Sequence, residues 1–408
     1  MRVVSLFSGA GGFDLGLTAA GLSPSIAIDS DPVCRSVLRA NFETVVPEGG
    51  DVANWSAVTI RDEAGFGRGE VDLMVGGPPC QPFSAAGLWH SGDTPRLRDS
   101  RASTLHEMLR LTGELLPRAV LIENVPGFAF KGKSEGLDLV RRTFAQINRR
   151  HDVSYRPVHS ILDSADFGVP QHRRRLFIVA LRDGGKFEFP EATHGDGRRD
   201  YVGCWDAIGG IKVPKAELPD LRVRGKWASL LPTIPEGENY LWHTSRGGGS
   251  PLFGWRTRYW NFLLKLKKDR PSWTLSASPG SATGPFHWDN RRLSRTELMA
   301  IQTFSKDFRL DCDYSSAQRL IGNSVAPLLA EVLGRSLMKS LAPETTYGSR
   351  VLKLGVLKSR AAPTRSVFET TIPSCYRDLG PKEDHPGTGA GPGAKKRGSS
   401  SAAKRDLA

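Results

Sequence analysis

The sequence of 408 residues is poor in cysteine, with five in all and no two close together. It has no C-x-x-C pair and no Cys/His spacing typical of zinc sites, which excludes a disulfide scaffold and a structural zinc and favours a reducing compartment. No stretch approaches the roughly 18 consecutive apolar residues of a membrane span. The first residues lack an apolar core followed by a cleavage site, so we expect no secretory signal and a cytoplasmic location.

Acidic side chains are outnumbered, since 56 Lys+Arg against 43 Asp+Glu give a formal net charge of +13. Such a balance favours a polyanionic partner, although a merely soluble basic surface explains the total equally well. Twelve basic and six acidic residues lie in 343–408, which loses periodicity and ends rich in Gly, Pro and Ser. We therefore expect this tail to be mostly disordered, and it accounts for much of the excess charge.

Short apolar runs alternate with amphipathic stretches from Val3 to about Leu181, which predicts an α/β sheet covered by helices on both faces. The predicted strands are Val3–Phe7, Ser25–Asp29, Val71–Val75, Ala119–Glu123 and Leu176–Leu181. The predicted helices lie near Asp14–Ala20, Pro32–Asn41, Ser103–Leu116, Leu137–Arg149, Arg295–Phe304 and Ala317–Leu341. Residues 184–290 lack this periodicity and hold seven of the nine tryptophans, which predicts a separate irregular or β-rich domain with most of them in its core.

A glycine-rich loop, Phe7-Ser8-Gly9-Ala10-Gly11-Gly12, joins the first predicted strand to the first predicted helix. Glycines let a backbone approach a ligand, and the helix terminus offers unpaired N–H groups. Asp29 ends the second strand, where an acid accepts hydrogen bonds from ribose hydroxyls. The loop fits a nicotinamide dinucleotide, a flavin or S-adenosylmethionine, or else a tight turn without a ligand. Its closed-up G-x-G-G spacing suits a cofactor without a pyrophosphate, which favours S-adenosylmethionine.

The third strand runs into Gly76-Gly77-Pro78-Pro79-Cys80-Gln81-Pro82. Prolines fix backbone angles and remove N–H donors, so this loop holds Cys80 stiffly at the carboxyl end of a central strand. A thiol held there is a candidate nucleophile, although a lone cysteine is more often a small buried hydrophobe. Glu123 ends the fourth strand after an apolar run that would raise its pKa, as in an acid–base group; a capping carboxylate is the alternative.

These segments, with Gln171–Arg175, Arg292–Phe304 and Gln318–Pro327, resemble the motifs of the DNA (cytosine-5) methyltransferases in that family's usual order. The resemblance spans residues 3 to about 341, and Pro79-Cys80-Gln81 and Glu123-Asn124-Val125 are its most specific segments. It implies a Rossmann-like mixed sheet. The implied domains are a catalytic S-adenosylmethionine-binding domain (1–183), a target-recognition domain (184–290), helices that return to the first domain (291–342) and the basic tail (343–408).

The resemblance also implies roles for individual residues and no metal. Cys80 would add to carbon 6 of a flipped cytosine, Glu123 would face ring nitrogen 3, and Arg173 and Arg175 would hold the base and its backbone. The implied cofactor-binding residues are Phe7, Gly9, Gly11, Gly12, Asp29, Asp51, Val52, Pro78, Asn323 and Ser324. The implied DNA contacts are Gln81, Ser84, Arg101, Gln171, Arg256 and Arg258.

The activity so implied is methyl transfer from S-adenosylmethionine to carbon 5 of cytosine in a short duplex DNA sequence, by a monomer. It would serve as an orphan methylase or beside a cognate restriction endonuclease that acts separately. An RNA cytosine-5 methyltransferase of the same fold and a catalytically silent DNA-binding relative are the alternatives. The length of 184–290 favours a duplex-DNA reader, and intact Cys80, Glu123 and glycine loop disfavour a silent relative. An oxidoreductase would use the glycine loop but not Cys80.

Overall fold

The computed structural model describes residues 1–67, 69–79, 103–129, 135–254, 260–344, 352–358, 360–364 and 366–377. They form two compact units. The first unit comprises Met1–Asp220, Lys268–Ser278 and Leu293–Ala362. The second comprises Leu221–Lys267, Pro279–Arg292 and the described residues from Pro363 onward.

The first unit contains a sheet of six strands among its described residues, in the order β2-β1-β3-β4-β6-β5. The strands are β1 (Val3–Leu6), β2 (Pro24–Ile28), β3 (Leu73–Gly76), β4 (Ala119–Asn124), β5 (Val158–Asp163) and β6 (Arg174–Leu181). Strands β1 to β4 are parallel, whereas β6 pairs antiparallel with both β4 and β5. The carboxyl ends of β1 to β4 and the amino end of β6 therefore meet at one edge of a mixed sheet.

Helices follow most of the strands. They are α1 (Gly12–Ala19), α2 (Pro32–Asn41), α3 (Ala57–Ala64), α4 (Ser103–Leu115), α5 (Glu135–His151), α6 (Cys204–Ile208), α7 (Leu218–Leu221), α8 (Arg295–Ile301), α9 (Tyr314–Asn323), α10 (Pro327–Leu341) and α11 (Ser374–Arg377). Their starts follow local chemistry. In α2, for example, the Asp31 side chain accepts a hydrogen bond from the Val33 amide and Pro32 occupies the first turn, where its missing N–H costs nothing.

Alternate strand residues enter two different hydrophobic clusters. Val4 and Leu6 of β1 pack with side chains of α4 and α5, whereas Val3 packs with α1 and α10. Both faces of the sheet are thus buried, which explains why its strands are nearly continuous apolar runs. The predicted α/β class with helices on both faces is confirmed.

The sequence prediction missed α3 and β5. Strand β5 lies at the edge of the sheet and its side chains are mostly only half-buried, so its sequence Val-His-Ser-Ile-Leu-Asp carries no apolar run. Helix α3 begins with a reciprocal capping box between Ser56 and Thr59. Thr59 stands where the usual sequence signature has Glu or Gln, so the sequence carries only a weak signal for this start.

Helix α10 packs closely on α1, which is the predicted return of the last helices to the first domain. A Cβ atom added at Gly16 would lie 2.1 Å from the Pro327 carbonyl oxygen and 2.5 Å from the Ala330 Cβ. One added at Gly12 would lie 2.5 Å from the Val325 carbonyl oxygen. Only glycine permits this approach, and it brings the turn after α9 beside the glycine loop.

The second unit has a core of its own, with short 3₁₀ turns at Ala228–Thr233 and Tyr240–His243 and isolated β-bridges between its described residues. Aromatic side chains, including Trp227, Tyr240 and Phe253, pack in this core among Leu, Ile and Val side chains. Of the tryptophans in 184–290, Trp227 and Trp288 are buried, whereas Trp260 and Trp273 are 40% and 42% exposed. Residues 184–220, expected in the recognition domain, cluster with the first unit instead, so the boundary of that domain stays a prediction.

The expectation of a mostly disordered tail is wrong for residues 352–377. Ile372 and Tyr376 are buried in the core of the second unit, and α11 lies within this segment. The prediction failed because isolated apolar or aromatic residues give no helical or strand periodicity. Each of them nevertheless packs into a pocket formed by side chains of other segments. The rest of the predicted tail, 378–408, lies outside the described residues.

None of the helices in the described ranges is long and apolar enough to cross a membrane.

The α1–α10 contact predicts the effect of Gly16→Ala. The added methyl group meets backbone as well as a side chain, so we expect the free energy of unfolding to fall by about 1–3 kcal/mol. Urea unfolding followed by circular dichroism measures this. Gly49→Ala is the matched control because a Cβ there meets nothing within 4 Å. Equal stability of the two variants would contradict the close approach.

Candidate functional site

The shared strand edge opens into a cavity of about 540 Å³ within the first unit. The glycine loop, the ends of β2, β3 and β4, the start of β6 and the turn after α9 all contribute to its wall. The lining residues include Phe7, Ser8, Gly9, Gly12, Asp29, Asp31, Gly77, Pro78, Glu123, Arg173, Arg175, Arg319, Asn323 and Ser324. Ten of the fourteen sequence-predicted site residues that the structure describes therefore line this cavity, and Ser8, Asp31 and Arg319 are additions that the sequence analysis missed.

The glycine loop is held against the end of β2 by Asp29. Gly9 and Gly11 have φ angles of 58° and 75°, a left-handed conformation that glycine adopts without strain. This turn lets the Gly9 amide donate to Asp29 Oδ2 at 2.8 Å, while the Asp31 amide donates to Oδ1 at 2.9 Å. Each carboxylate oxygen has a second lone pair, so Asp29 can also accept from hydroxyl groups of a ligand.

Burial raises the pKa of Asp29, and the two amide donors oppose that rise. The neighbouring Asp31 forms an ion pair with Arg319 of α9, which lines the same cavity. Arg319 lies within the Gln318–Pro327 motif, but no role was predicted for it because its partner Asp31 lies far away in the sequence. On the side of the glycine loop, the cavity is thus lined by the Asp29 carboxyl group and by the ion pair of Asp31 with Arg319.

The predicted contacts of Asp51 and Val52 are not among the cavity-lining residues, and neither is Gly11. The segment is nevertheless close, because a Cβ added at Gly50 would overlap the Asp29 carbonyl oxygen, at 1.7 Å. The Asp51 side chain accepts a hydrogen bond from the Ala53 amide and so caps the 3₁₀ turn Val52–Asn54. Its capping role is shown, and its cofactor contact stays a prediction.

Glu123 lies on the opposite wall, paired with Arg175. The Arg175 Nε atom is 3.0 Å from Glu123 Oε1, and both side chains are largely buried. Burial raises the pKa of Glu123, while Arg175 and Arg173 oppose the rise. The pairing follows from topology: β4 ends and β6 begins at the same edge, so the arginines at the start of β6 meet the acid at the end of β4.

Arg173 is a buried guanidinium with unused donors. Its Nη2 atom donates to the Gly322 carbonyl oxygen at 2.9 Å, whereas Nε and Nη1 are buried without a hydrogen-bond partner among the described residues. Burial and the nearby Arg175 lower its pKa. Buried N–H groups without partners are costly, so two donors in a cavity wall indicate a ligand or water that accepts from them.

The Gly76–Pro79 segment, which precedes the predicted nucleophile in the sequence, lies near this wall. A Cβ added at Gly77 would lie 3.0 Å from Glu123 Oε2, and Pro78 and Pro79 line the cavity. Cys80 follows directly in the sequence but lies outside the described residues. The same holds for the predicted DNA contacts Gln81, Ser84, Arg101, Arg256 and Arg258.

The predicted DNA contact of Gln171 needs correction. Its side chain is fully buried, and its amide is used within the first unit. Gln171 Oε1 accepts from the Leu275 amide at 3.0 Å, and Nε2 donates to Gln302. Gln302 in turn donates to the Ser324 carbonyl oxygen at 2.7 Å. Gln171 therefore links the segment before β6 to the turn after α9 and does not face a DNA surface.

Asp14, in the first turn of α1, is a buried carboxyl group next to the site that sequence reasoning did not single out. Neither carboxylate oxygen has a hydrogen-bond partner among the described residues, and the side chain is fully buried. Burial raises its pKa to about 7; Ser5 opposes this rise and Asp29 adds to it. The Ser5 hydroxyl shares a 2.8 Å hydrogen bond with that of Ser8, which lines the cavity. A polar cluster thus lies beneath the glycine loop.

Within the described ranges, no group of three or more His, Cys, Asp or Glu side chains is arranged to hold a metal ion.

A family model, the C-5 cytosine-specific DNA methylase, matches residues 1–339. The chain belongs to this family. The methylase is 37% identical to the type II methyltransferase M.SacI of Streptomyces achromogenes over 386 residues, which cover 86% of this chain and 96% of the relative. It is 30% identical to M.NgoFVII of Neisseria gonorrhoeae over 346 residues, with 83% and 86% of the two chains covered. The suspected resemblance and the DNA cytosine-5 methyltransferase activity are confirmed.

Solved structures share the methylase fold. The methyltransferase EhMeth of Entamoeba histolytica matches with a TM-score of 0.58 at 17% identity, over 84% of this chain and 98% of that one. The S. pombe Dnmt2 methyltransferase matches with a TM-score of 0.57 at 17% identity, over 84% and 99%. At this identity the likeness concerns the fold, and it agrees with the predicted Rossmann-like mixed sheet.

The burial of Asp14 predicts a pH-dependent effect of Asp14→Asn on stability. The ionised form is disfavoured in the folded protein, so the cost of keeping Asp14 is absent below its ordinary pKa of 3.8 and complete above about 7. In acid the variant should have the same free energy of unfolding as the native protein. As pH rises, it should become more stable than the native protein, by up to about 4 kcal/mol. Urea unfolding of both proteins across this pH range measures the difference.

Asp313→Asn is the control of opposite sign. Asp313 is an exposed carboxylate that accepts from the Ser316 amide at 3.0 Å, and hydrogen bonds from the Ser316 hydroxyl and amide lower its pKa. Its stabilising contribution should therefore be present at neutral pH and lost as pH falls. Parallel pH trends for the two variants would contradict the assignment for Asp14.

Proposed function

We propose that the methylase transfers a methyl group from S-adenosylmethionine to carbon 5 of a cytosine flipped out of duplex DNA, through a transient bond to Cys80. The observation that carries this proposal is the arrangement of one cavity. Asp29 and the glycine loop line one side, Glu123 paired with Arg175 lines the other, and the Pro78-Pro79 segment that leads to Cys80 runs between them.

The residues present fit S-adenosylmethionine. A volume of about 540 Å³ suits a nucleoside joined to an amino acid, and ligand cavities commonly span about 300–1,000 Å³. Asp29 would accept from the ribose hydroxyls, the Phe7 ring would contact the adenine, and Asn323 and Ser324 would hold the methionine portion. When bound, this cofactor supplies an electrophilic methyl group on a positively charged sulfur.

Cytosine needs activation because its carbon 5 is a weak nucleophile. The Cys80 thiolate would bond to carbon 6, which makes the ring an enamine that is nucleophilic at carbon 5. After carbon 5 takes the methyl group, a base removes its proton. The electron pair of that C–H bond then re-forms the 5,6 double bond as the Cys80 sulfur leaves.

Glu123 would supply a proton or hydrogen bond to ring nitrogen 3 while the adduct forms. Its raised pKa favours this role, since a carboxyl group must keep a proton in order to donate it. Arg175 would orient the acid, and the unused Arg173 N–H groups would donate to the carbonyl oxygen of the base or to a backbone oxygen. A base inside a duplex cannot reach such a cavity, so flipping is required.

The second unit is the candidate for target recognition. An exposed Trp260 on a basic chain suits stacking on bases and contact with a phosphate backbone. The names of the relatives M.SacI and M.NgoFVII support a type II restriction–modification setting, in which a cognate endonuclease acts separately. We expect a cytoplasmic enzyme that acts as a monomer, without a metal.

The adduct predicts the effect of Cys80→Ser. A hydroxyl group is a far weaker nucleophile than a thiolate, so the variant should not transfer label from S-adenosylmethionine to duplex DNA above background. Scintillation counting of precipitated DNA measures transfer, and Cys312→Ser, at a half-buried free cysteine that does not line the cavity, should retain it. Bisulfite sequencing of DNA from cells that express the native protein then identifies the methylated sequence. Label in RNA but not in DNA would replace this proposal with RNA methylation.

The role of Glu123 predicts a separate effect on kcat. Glu123→Gln keeps the shape but cannot deliver a proton, so kcat should fall by about 10²–10⁴-fold with the KM for S-adenosylmethionine unchanged. The native rate should fall as pH rises through the raised pKa of Glu123, and that limb should vanish in the variant. Glu188→Gln, at an exposed carboxylate, is the control. An unchanged kcat would exclude Glu123 as the proton donor.

A further inference from the structure

The family match ends at residue 339, yet the chain continues as a packed segment beyond it. We define residues 352–377 as the C-terminal strap; within it, 359 and 365 lie outside the described residues. Residues 352–362 belong to the first unit and those from 363 onward to the second. Each half is anchored within its own unit by contacts that a loose tail would not make.

The first anchor is Glu331 on α10. Its side chain is fully buried, and its two carboxylate oxygens accept the backbone amides of Lys353 at 2.6 Å and Leu354 at 2.9 Å. Arg335 also donates to it, from Nη2 at 2.6 Å. A buried carboxylate is costly unless it is paired and hydrogen-bonded, so the strap satisfies a charge that α10 places in the interior.

The second anchor is Asp206 of α6, also buried. Asp206 Oδ1 accepts the Arg360 amide at 2.6 Å, while the Arg360 guanidinium donates to the carbonyl oxygens of Trp205 and Asp206 at 2.9 Å and 2.7 Å. Arg360 thus fixes the end of the strap's first half to α6 by three hydrogen bonds, one to the Asp206 carboxylate and two to backbone carbonyl oxygens.

The strap's second half repeats the pattern within the second unit. The buried Glu236 accepts the Ser366 amide at 3.1 Å, and the Glu369 amide donates to the Pro232 carbonyl oxygen at 3.0 Å. Between them Phe368 meets the edge of Trp242, with ring centroids 5.9 Å apart. These contacts lead the chain into the core of the unit.

Tyr376 completes that core. It is 2% exposed and stacks on Trp227, with ring centroids 5.5 Å apart and planes 12° from parallel. Its hydroxyl donates to the Lys226 carbonyl oxygen at 2.6 Å and pairs with the Ser229 hydroxyl at 2.8 Å. Ile372 is buried in the same cluster. A second unit built from Leu221–Lys267 and Pro279–Arg292 alone would therefore expose Trp227 and leave a cavity of aromatic size.

We infer that the C-terminal strap is required for target recognition. Tyr376 stacks on Trp227 and so holds the core of the DNA-reading unit in its native arrangement. The inference rests on the proposed role of the second unit in reading DNA. The loss of Tyr376 should then weaken DNA binding and leave cofactor binding intact. All the residues that line the cavity with Asp29 and Glu123 belong to the first unit.

The test uses the full-length methylase and four variants. They are a chain that ends after Arg377, a chain that ends after Ala362, Tyr376→Ala and Tyr376→Phe. Labelled transfer gives the KM for duplex DNA and kcat, and titration calorimetry gives the Kd of S-adenosylmethionine. Val367→Ala is the control, since Val367 is 96% exposed within the same segment.

We expect full activity for the chain that ends after Arg377. Truncation after Ala362 and Tyr376→Ala should raise the KM for DNA by roughly tenfold or more, whereas the Kd of the cofactor stays within about twofold. Tyr376→Phe keeps the stacked ring and should restore most of the affinity for DNA. Recovery by the conservative variant together with an unchanged cofactor Kd distinguishes positioning from general unfolding.

An unchanged KM for DNA in Tyr376→Ala overturns the inference, and so does an equal loss of cofactor and DNA binding. Failure of the native protein to label DNA would instead refute the proposed function, so the two failures are distinguishable.

Discussion

The approach of α10 to α1 at Gly12 and Gly16 is the contact on which the site depends. It places Asn323 and Ser324 beside the glycine loop and closes the cavity that Asp29 lines. Gln302 reinforces the same corner, because it donates to the Ser324 carbonyl oxygen and is itself bonded by Gln171. The two ends of the family-matched region are thereby joined by backbone contact and by buried amides.

A second constraint comes from the reversed direction of β6. A fifth parallel strand would have delivered its carboxyl end to the edge, whereas β6 delivers its amino end with Arg173 and Arg175. Arg175 neutralises Glu123 enough to let a buried acid persist, while burial still raises its pKa. Burial and the arginines therefore act on Glu123 in opposite directions, and the net result is a raised pKa, which is the property that the proposed activation of the base requires.

Much of the fold and site was readable from the sequence because the signals are local. Apolar runs predicted β1 to β4 and β6, and the glycine loop, Pro78, Glu123 and Arg175 were found from motifs next to those strands. Burial of Gln171 was not readable, since its partners Leu275 and Gln302 come from distant segments. Asp14 resembled an ordinary first-turn acid, and only the packed structure shows that its carboxyl group lacks partners.

The strap was misjudged for a related reason. The prediction for residues 343–408 rested on their average composition, which is set largely by the Gly/Pro/Ser-rich C-terminal end. The isolated Ile372 and Tyr376 do not change that average. Their burial depends on pockets built by Trp227 and its neighbours, which no window of the strap's own sequence contains. Long-range complementarity of this kind is invisible to periodicity.

The contact of Gly16 with Pro327 and Ala330 also affects how the chain is made. During synthesis α1 leaves the ribosome long before α10 is made. The face of α1 that contains Gly12 and Gly16 therefore stays uncovered until most of the chain has been translated. Ribosomes add about 5–20 residues per second, which leaves that groove uncovered for many seconds. The nascent methylase therefore exposes an apolar surface near its N-terminus during synthesis. A chaperone that shields this surface during translation would raise the yield of folded protein more than one that acts after release.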